Sequence, residues 1–349
     1  MNAIPDLDLY QKTHGIYHGG DLAAARAAFP NAPEPWLDLS TGISPIPYPV
    51  PALDSEIWGR LPDRGRLRRL ERIAAERYGA ADDATVVAAP GTQALIQSLT
   101  RLHSASRVGI LGLTYGEHER VWREAGATPH VVETLNALAE FDVAVVVNPN
   151  NPDGRLIAKQ ALVALAAKMA RRGGLLVVDE AFMDVMPPGY SLASSSSSAA
   201  VVLRSFGKTY GLAGVRLGFA IATSKIADKL RAFLGPWAVS GPAIEIGCAA
   251  LADEAWLGRS ITELLDRAAA LDQVLLRHEL ALVGGSPLFR LAAHRNAPFL
   301  FSALAQQGVL VRRFPARREW LRVAPPRDRP ALVRLSESLE RAREAERKH

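Results

Sequence analysis

A lysine set in a glycine-rich run, Ser205-Phe206-Gly207-Lys208-Thr209-Tyr210-Gly211, is the residue of this sequence best suited to nucleophilic chemistry. Burial and neighbouring cations lower a lysine's pKa until its amine can attack a carbonyl, the condition for a Schiff base. Upstream, the apolar run 175–178 passes straight into Asp179-Glu180-Ala181-Phe182, at the end of a strand expected to be buried on both faces. A carboxylate there needs a cation or good donors, so Asp179 is expected to face a protonated nitrogen. Two polar turns complete the set. In Pro90-Gly91-Thr92-Gln93 a glycine precedes a helix start. The bared backbone N–H groups, with the Thr92 hydroxyl, suit a phosphate. Asn148-Pro149-Asn150-Asn151-Pro152-Asp153-Gly154 offers amides that can donate to an anionic oxygen.

The elements that must position these residues follow from periodicity. Short β-branched runs at 85–89, 108–111, 130–132, 143–147, 175–178, 200–203 and 217–222 are mostly separated by helix-like or loop segments. That rhythm predicts an α/β fold with a mostly parallel seven-stranded sheet flanked by helices. In such sheets ligands gather beyond the carboxyl ends of the strands, where all four turns fall. A helix is expected at 65–78. Residues 1–50, rich in proline and glycine, read as an irregular N-terminal arm packing on the small domain and active site. Residues 51–240 form the large domain. Residues 241–349 form a smaller α+β domain, with a helical region at 244–278, two or three short strands and a final helix at 329–348. The serine run 194–198 reads as a solvated loop.

With 349 residues, 48% hydrophobic and 22% charged, the chain buries a large core and is not disordered. One cysteine, Cys248, excludes an intrachain disulfide and any multi-cysteine metal site, and fits a reducing compartment. No apolar run approaches the roughly 20 residues that span a bilayer. The first residues, with Asp6 and Asp8, lack the pattern of an export signal, so the protein is expected in the cytoplasm with no membrane partner. The 41 basic residues are offset by 36 acidic ones. Arginine clusters at 60–72 and 312–329 therefore read as solvated faces or receivers of small anions, not of nucleic acid. The arm before the core has no room for a helix-turn-helix module.

In order and spacing, Asn151-Pro152-Asp153-Gly154, Asp179-Glu180-Ala181-Phe182 and Ser205-Phe206-Gly207-Lys208 through Arg216 resemble the pyridoxal-phosphate enzymes of fold type I. The resemblance is closest to the histidinol-phosphate aminotransferase branch. Within that branch, His18-Gly19-Gly20-Asp21, Leu37-Asp38-Leu39-Ser40-Thr41-Gly42 and Thr114-Tyr115-Gly116-Glu117-His118 are similar to the cobalamin-biosynthesis threonine-phosphate decarboxylases. It implies pyridoxal 5'-phosphate as cofactor, with Lys208 forming the Schiff base and shuttling protons and Asp179 pairing with the pyridine nitrogen. Asn151 would donate to the phenolic oxygen and border the substrate, Tyr115 would stack on the ring, and Gly91, Thr92, Ser205 and Arg216 would hold the cofactor phosphate. For a small phosphorylated amino acid as substrate, it implies Arg322, with Arg312 or Arg313, and His18 with Gly19 and Gly20. A homodimer is implied as well. The activity implied is decarboxylation of L-threonine O-3-phosphate, with transamination of histidinol phosphate or an aromatic amino acid as the alternative. Two residues depart from the branch. Phe182 replaces a tyrosine and removes one hydrogen bond to the phenolic oxygen, which leans away from transamination. Leu61-Pro62 stands where the branch supplies a tyrosine across the dimer to the cofactor phosphate.

Overall fold

Six of the seven β-branched runs become largely buried strands, where branched side chains pack well and no polar group is needed; the seventh, Thr128–Val132, is a largely exposed strand at the sheet edge. A computed structural model describes residues 18–103, 106–195 and 199–348. The first 17 residues of the expected arm, and Ser196, Ser197 and Ser198 of the serine run, lie outside them. The strands are β1 (Ala84–Ala89), β2 (Arg107–Leu111), β3 (Thr128–Val132), β4 (Val143–Val147), β5 (Leu175–Asp179), β6 (Ala200–Ser205) and β7 (Gly218–Thr223). They form one sheet in the order β1-β7-β6-β5-β4-β2-β3. All pairings are parallel except those of β7, which runs antiparallel to β1 and β6.

The two-residue strand period divides the central side chains between two cores. Ala144, Val146, Leu176, Val178 and Val202 meet Leu70 and Ala74 of helix Arg64–Tyr78 and Leu162, Leu165 and Met169 of helix Lys159–Arg171. Val143, Val145, Leu175, Val177, Val201 and Leu203 meet Leu95, Ile96 and Leu99 of helix Thr92–Leu99 and Ala227 and Leu230 of helix Ser224–Leu234. The register then aligns the strand ends. Ala89 pairs with Gly218 and Gly218 with Ser205, while Val147 pairs with Asp179 and Asp179 with Leu203. The residues that close these strands therefore emerge along one sheet edge.

Contacts separate two units, Pro47–Arg259, which holds this sheet, and Met1–Ile46 with Ser260–His349. The hydropathy pattern changes after Pro236, yet helix Gly241–Ala252 still packs within the larger unit, where Gly247 lies against Leu70 and Leu217. The helical region expected at 244–278 is two helices, Gly241–Ala252 and Glu254–Arg277. Asp253 parts them by accepting the Trp256 N–H at 2.9 Å, an N-cap that apolar periodicity does not register.

The smaller unit has more order than its sequence suggested. Four antiparallel strands, β8 (Ala281–Ser286), β9 (Phe289–Ala293), β10 (Arg312–Arg313) and β11 (Trp320–Val323), make a sheet in the order β10-β11-β9-β8. Leu37–Asp38 pairs in parallel with Val309–Leu310, and helix Ala297–Ala305 lies between the β9 and β10 segments in the chain. Within the expected irregular arm, residues 22–28 are helical. Asp21 caps the alanine-rich run Leu22–Ala28 by accepting the Ala24 N–H at 2.9 Å, so local propensity prevails over the surrounding proline and glycine.

Leu176, on the central strand β5, has no exposed surface. Leu176→Ala is expected to lower the unfolding free energy by about 2–5 kcal/mol. Val163→Ala, at a 40% exposed position, should change it by about 0.5 kcal/mol or less. Denaturant titrations read both.

Candidate active site

The turn after β1 makes an anion cradle from backbone. Gly91 has φ +85 and leads into helix Thr92–Leu99 with no side chain capping its first N–H groups. The space before that helix end is defined by two glycines. A Cβ on Gly91 would lie 2.7 Å from Arg216 Nη2, and a Cβ on Gly218 would lie 2.6 Å from the Thr92 nitrogen. Arg216, itself at φ 55, donates from Nη1 to the Ala213 carbonyl at 3.2 Å. Ser205 closes β6 directly opposite Gly218. Gly91, Thr92, Ser205 and Arg216 are thus brought to one place.

Asp179 ends β5 at 3% exposure and accepts from His118 Nε2 at 2.9 Å and from the Ala181 N–H at 3.0 Å. His118 has no exposed surface, and its Nδ1 has no hydrogen-bond partner. In the sequence His118 is one residue of the motif Thr114-Tyr115-Gly116-Glu117-His118, and its contact with Asp179 emerges only in the fold. The available signal was its position three residues after Tyr115, at the start of helix Glu117–Glu124, whose faces repeat at that spacing. Tyr115 meets the His118 ring edge-on, with centroids 6.1 Å apart, and donates from its hydroxyl to Gln93 Oε1 at 3.4 Å. Gln93 is oriented in turn by Glu117, which accepts from its Nε2 at 2.5 Å and from Arg120 at 2.6 Å.

The asparagine turn spends two of its amides on itself. Asn148 accepts the Ile157 N–H at 2.8 Å and donates back to the Ile157 carbonyl, while Asn150 donates to the Leu113 carbonyl and to Asp153. These bonds fix Asn151, 8% exposed, just beyond the end of β4. Lys208 lies in the single helical turn Phe206–Thr209, and its Nζ is 5.9 Å from the centre of the Phe182 ring. Gly207 has no room for a side chain there, because a Cβ would fall 2.7 Å from Ala213 Cα.

These residues fit pyridoxal phosphate. The glycine-lined helix end with Arg216 and Ser205 is a phosphate receptor, the buried Asp179 suits a protonated ring nitrogen, and Lys208 supplies an amine on the same sheet edge. Among the described residues no cluster of metal-ligating side chains occurs, and no helix is long and apolar enough to cross a membrane.

The remaining candidates fall in the smaller unit. Arg322 in β11 is 3% exposed, donates from Nη2 to the Ser40 carbonyl at 3.0 Å and lies over the Phe289 ring. Ser40 also accepts the Gly20 N–H at 2.7 Å through its hydroxyl, and a Cβ on Gly19 would strike the Ser40 carbonyl. Gly19 and Gly20, next to the exposed His18, are thereby joined through Ser40 to Arg322. Arg312 pairs directly across the ladder with Arg322, so the two share a face. Arg313 takes the opposite face, over the ring of Phe301 in helix Ala297–Ala305. The sequence reading treated the neighbours alike; strand alternation separates them.

His118→Phe would leave the buried Asp179 carboxylate without its side-chain donor. A loss of about 1–3 kcal/mol in unfolding free energy is expected in the cofactor-free protein, read by denaturant titration.

Residues 15–337 match the family described as aminotransferase class I and II. The chain is 43% identical to a threonine-phosphate decarboxylase of a Sinorhizobium species, over 93% of this chain and 98% of that one. It is 40% identical to a threonine-phosphate decarboxylase of Pseudomonas aeruginosa, over 93% and 97%. Among solved structures, a histidinol-phosphate aminotransferase from Sinorhizobium meliloti, in complex with pyridoxal-5'-phosphate, superposes with a TM-score of 0.82 at 19% identity, over 95% and 96% of the two chains. With the family matched across most of its length and two relatives aligned nearly end to end, the chain belongs to the aminotransferase class I and II family.

Proposed function

We propose that this chain is a cytoplasmic, pyridoxal-phosphate-dependent carboxy-lyase that converts L-threonine O-3-phosphate into (R)-1-amino-2-propanol O-2-phosphate and CO2 in cobalamin biosynthesis. The observation that carries the reading is the identity of 43% and 40% to two threonine-phosphate decarboxylases across 93% of the chain. The site supports it through Phe182, which offers no hydroxyl where the aminotransferases of this branch carry tyrosine.

Bound pyridoxal phosphate supplies an electron sink for the pair left when the Cα–carboxylate bond breaks. This chain's residues do the rest. Gly91, Thr92, Ser205 and Arg216 hold the phosphate, and Tyr115, oriented by Gln93, offers a ring face for stacking. Asp179 keeps a proton on the pyridine nitrogen while His118 keeps Asp179 aimed, and Asn151 donates to the phenolic oxygen. Lys208 carries the amine that binds the cofactor and later moves a proton to Cα. Arg322 and Arg312 receive the substrate's carboxylate and phosphate, aided by His18, Gly19 and Gly20, because a guanidinium fork pairs bidentately with either group.

A homodimer belongs to the same reading. Trp58, Leu61 and Trp237, exposed by 69%, 68% and 56%, line one cavity of about 590 Å³ in the larger unit. So much apolar surface in one patch marks a protein contact.

The purified protein, loaded with cofactor and given L-threonine O-3-phosphate, is expected to release CO2 and aminopropanol phosphate with no keto acid present. Glutamate formation from histidinol phosphate and 2-oxoglutarate, without CO2, would overturn the reading in favour of an aminotransferase. Arg312→Ala should lower kcat/KM by about 2–5 kcal/mol of recognition, as for a charge pair with one partner removed. Arg313→Ala, on the other strand face, should leave kcat/KM within about threefold. Light scattering should give the mass of two chains, and Trp58→Asp with Leu61→Asp should yield one.

A further inference from the structure

The geometry points to Arg204 as a positioning residue for Phe182 and, through that ring, for the Lys208 amine. The inference rests on Lys208 being the cofactor lysine.

Arg204 sits on β6 and is 4% exposed. Its Nη1 donates to Glu180 Oε2 at 2.9 Å, and its Nη2 bonds Asp184 Oδ1. Glu180 and Asp184, with 0% and 8% exposure, flank Phe182 by two residues on each side. One guanidinium therefore anchors both ends of the short segment that carries the ring. Further bonds tighten the first anchor: Glu180 accepts from the Ser191 hydroxyl at 2.6 Å and from the Leu192 N–H at 2.7 Å. Between the anchors, the Met183 N–H closes a turn on the Glu180 carbonyl at 3.1 Å. Phe182, 4% exposed, is left with its ring 5.9 Å from Lys208 Nζ, within cation–π range.

Packing alone gives no reason for this triad. Removing a guanidinium and two carboxylates from water costs several kcal/mol per ion, and apolar residues of similar volume often hold a core as well or better. The triad supplies direction that apolar contacts lack, because each bond fixes an angle as well as a distance. Burial by itself would lower the Arg204 pKa, but Asp184 and Glu180 beside it hold it above its ordinary value, so the guanidinium stays charged, while burial pushes the Glu180 carboxyl up against the pull of Arg204, Ser191 and the Leu192 N–H. Its guanidinium also lies 4.5 Å over the Tyr78 ring, which seats its plane.

A double-mutant cycle on the full chain tests the inference. Asp184→Asn removes one anchor at nearly constant shape, and Phe182→Ala removes the ring. Two quantities are read: the pH at which Lys208 is half-reactive toward pyridoxal phosphate under borohydride, located by mass spectrometry, and kcat and KM separately. Asp184→Asn is expected to move the Lys208 midpoint by about half a pH unit. It should also lower kcat about tenfold with KM changed less than about threefold. In the Phe182→Ala background it should add less than about twofold, the mark of two residues acting as one. Additive effects, or a lowered melting temperature with an unchanged Lys208 midpoint and kcat, would overturn the clamp while leaving the cofactor assignment standing. A wild-type chain that is not modified at Lys208 at all would overturn both. Should Asp184→Asn fail to accumulate as folded protein, Ser191→Ala, which loosens Glu180 alone, enters the same cycle with the same outcomes.

Discussion

The burial of β4, β5 and β6 on both faces constrains everything else in the larger unit. Val143–Val147 and Leu175–Asp179 are buried at every position, with helices on either side. A polar side chain along such a strand finds no water and needs a buried partner, as Arg204 of β6 finds in Glu180 and Asp184, so most polar chemistry is displaced to the point where the ladder ends. Asp179 is the limiting case. It is still the last residue of its strand, still hydrogen-bonded through its backbone to Asn148, and already dependent on His118 and the Ala181 N–H for its carboxylate. The asparagine turn, the glycine-capped helix and the lysine turn stand beside it because the register aligns their strands.

That constraint explains how much was legible in the sequence. A doubly buried strand writes itself as an unbroken apolar run, so six of the seven runs and the polar residues at their ends are legible directly, while β3 is an exposed edge strand. Lys208, Asp179, Asn151 and Gly91 were found this way, by position. His118 was not, because it starts a helix and reaches Asp179 across space, a distance that no period records. Gln93 and Glu117, which orient Tyr115, were hidden for the same reason. Arg204 carries no sequence signal of its own; only the fold shows that its partners are Glu180 and Asp184. The smaller unit was read least well. Its strands of two to six residues are too short for periodicity to declare, and the Asp21 cap that starts its first helix acts through a single hydrogen bond, as does the Asp253 cap in the larger unit.

The site also shows where flexible and rigid choices were made. Gly91, Gly207 and Gly218 are glycines because a Cβ at each would strike backbone or the Arg216 guanidinium. The phosphate receptor is therefore shaped by what is missing from the chain as much as by Arg216 and Ser205. Around Asp179 and Tyr115 the opposite holds, and hydrogen bonds orient the side chains: His118 stands behind Asp179, and Gln93 with Glu117 stands behind Tyr115. Preorganisation of this kind costs folding energy in buried polar groups and returns it as orientation.

Orientation is the quantity on which the proposed chemistry turns. A cofactor that accepts an electron pair does not choose which bond to Cα gives it up; the bond held in line with the ring's π system breaks fastest. In the proposed reading, loss of CO2 and removal of a proton would share Lys208, Asp179 and the phosphate cradle, and the choice would pass to the residues that hold the substrate's two anionic ends. Arg322 is fitted to that task. Its guanidinium is fixed by the Ser40 carbonyl and the Phe289 ring before any ligand arrives, and Arg312 stands on the same strand face. Two guanidinium groups on one strand face would, in the proposed reading, let a substrate with a carboxylate and a phosphate lie in only a few ways. Binding energy used in this way to set the angle of the scissile bond would appear in kcat rather than in affinity.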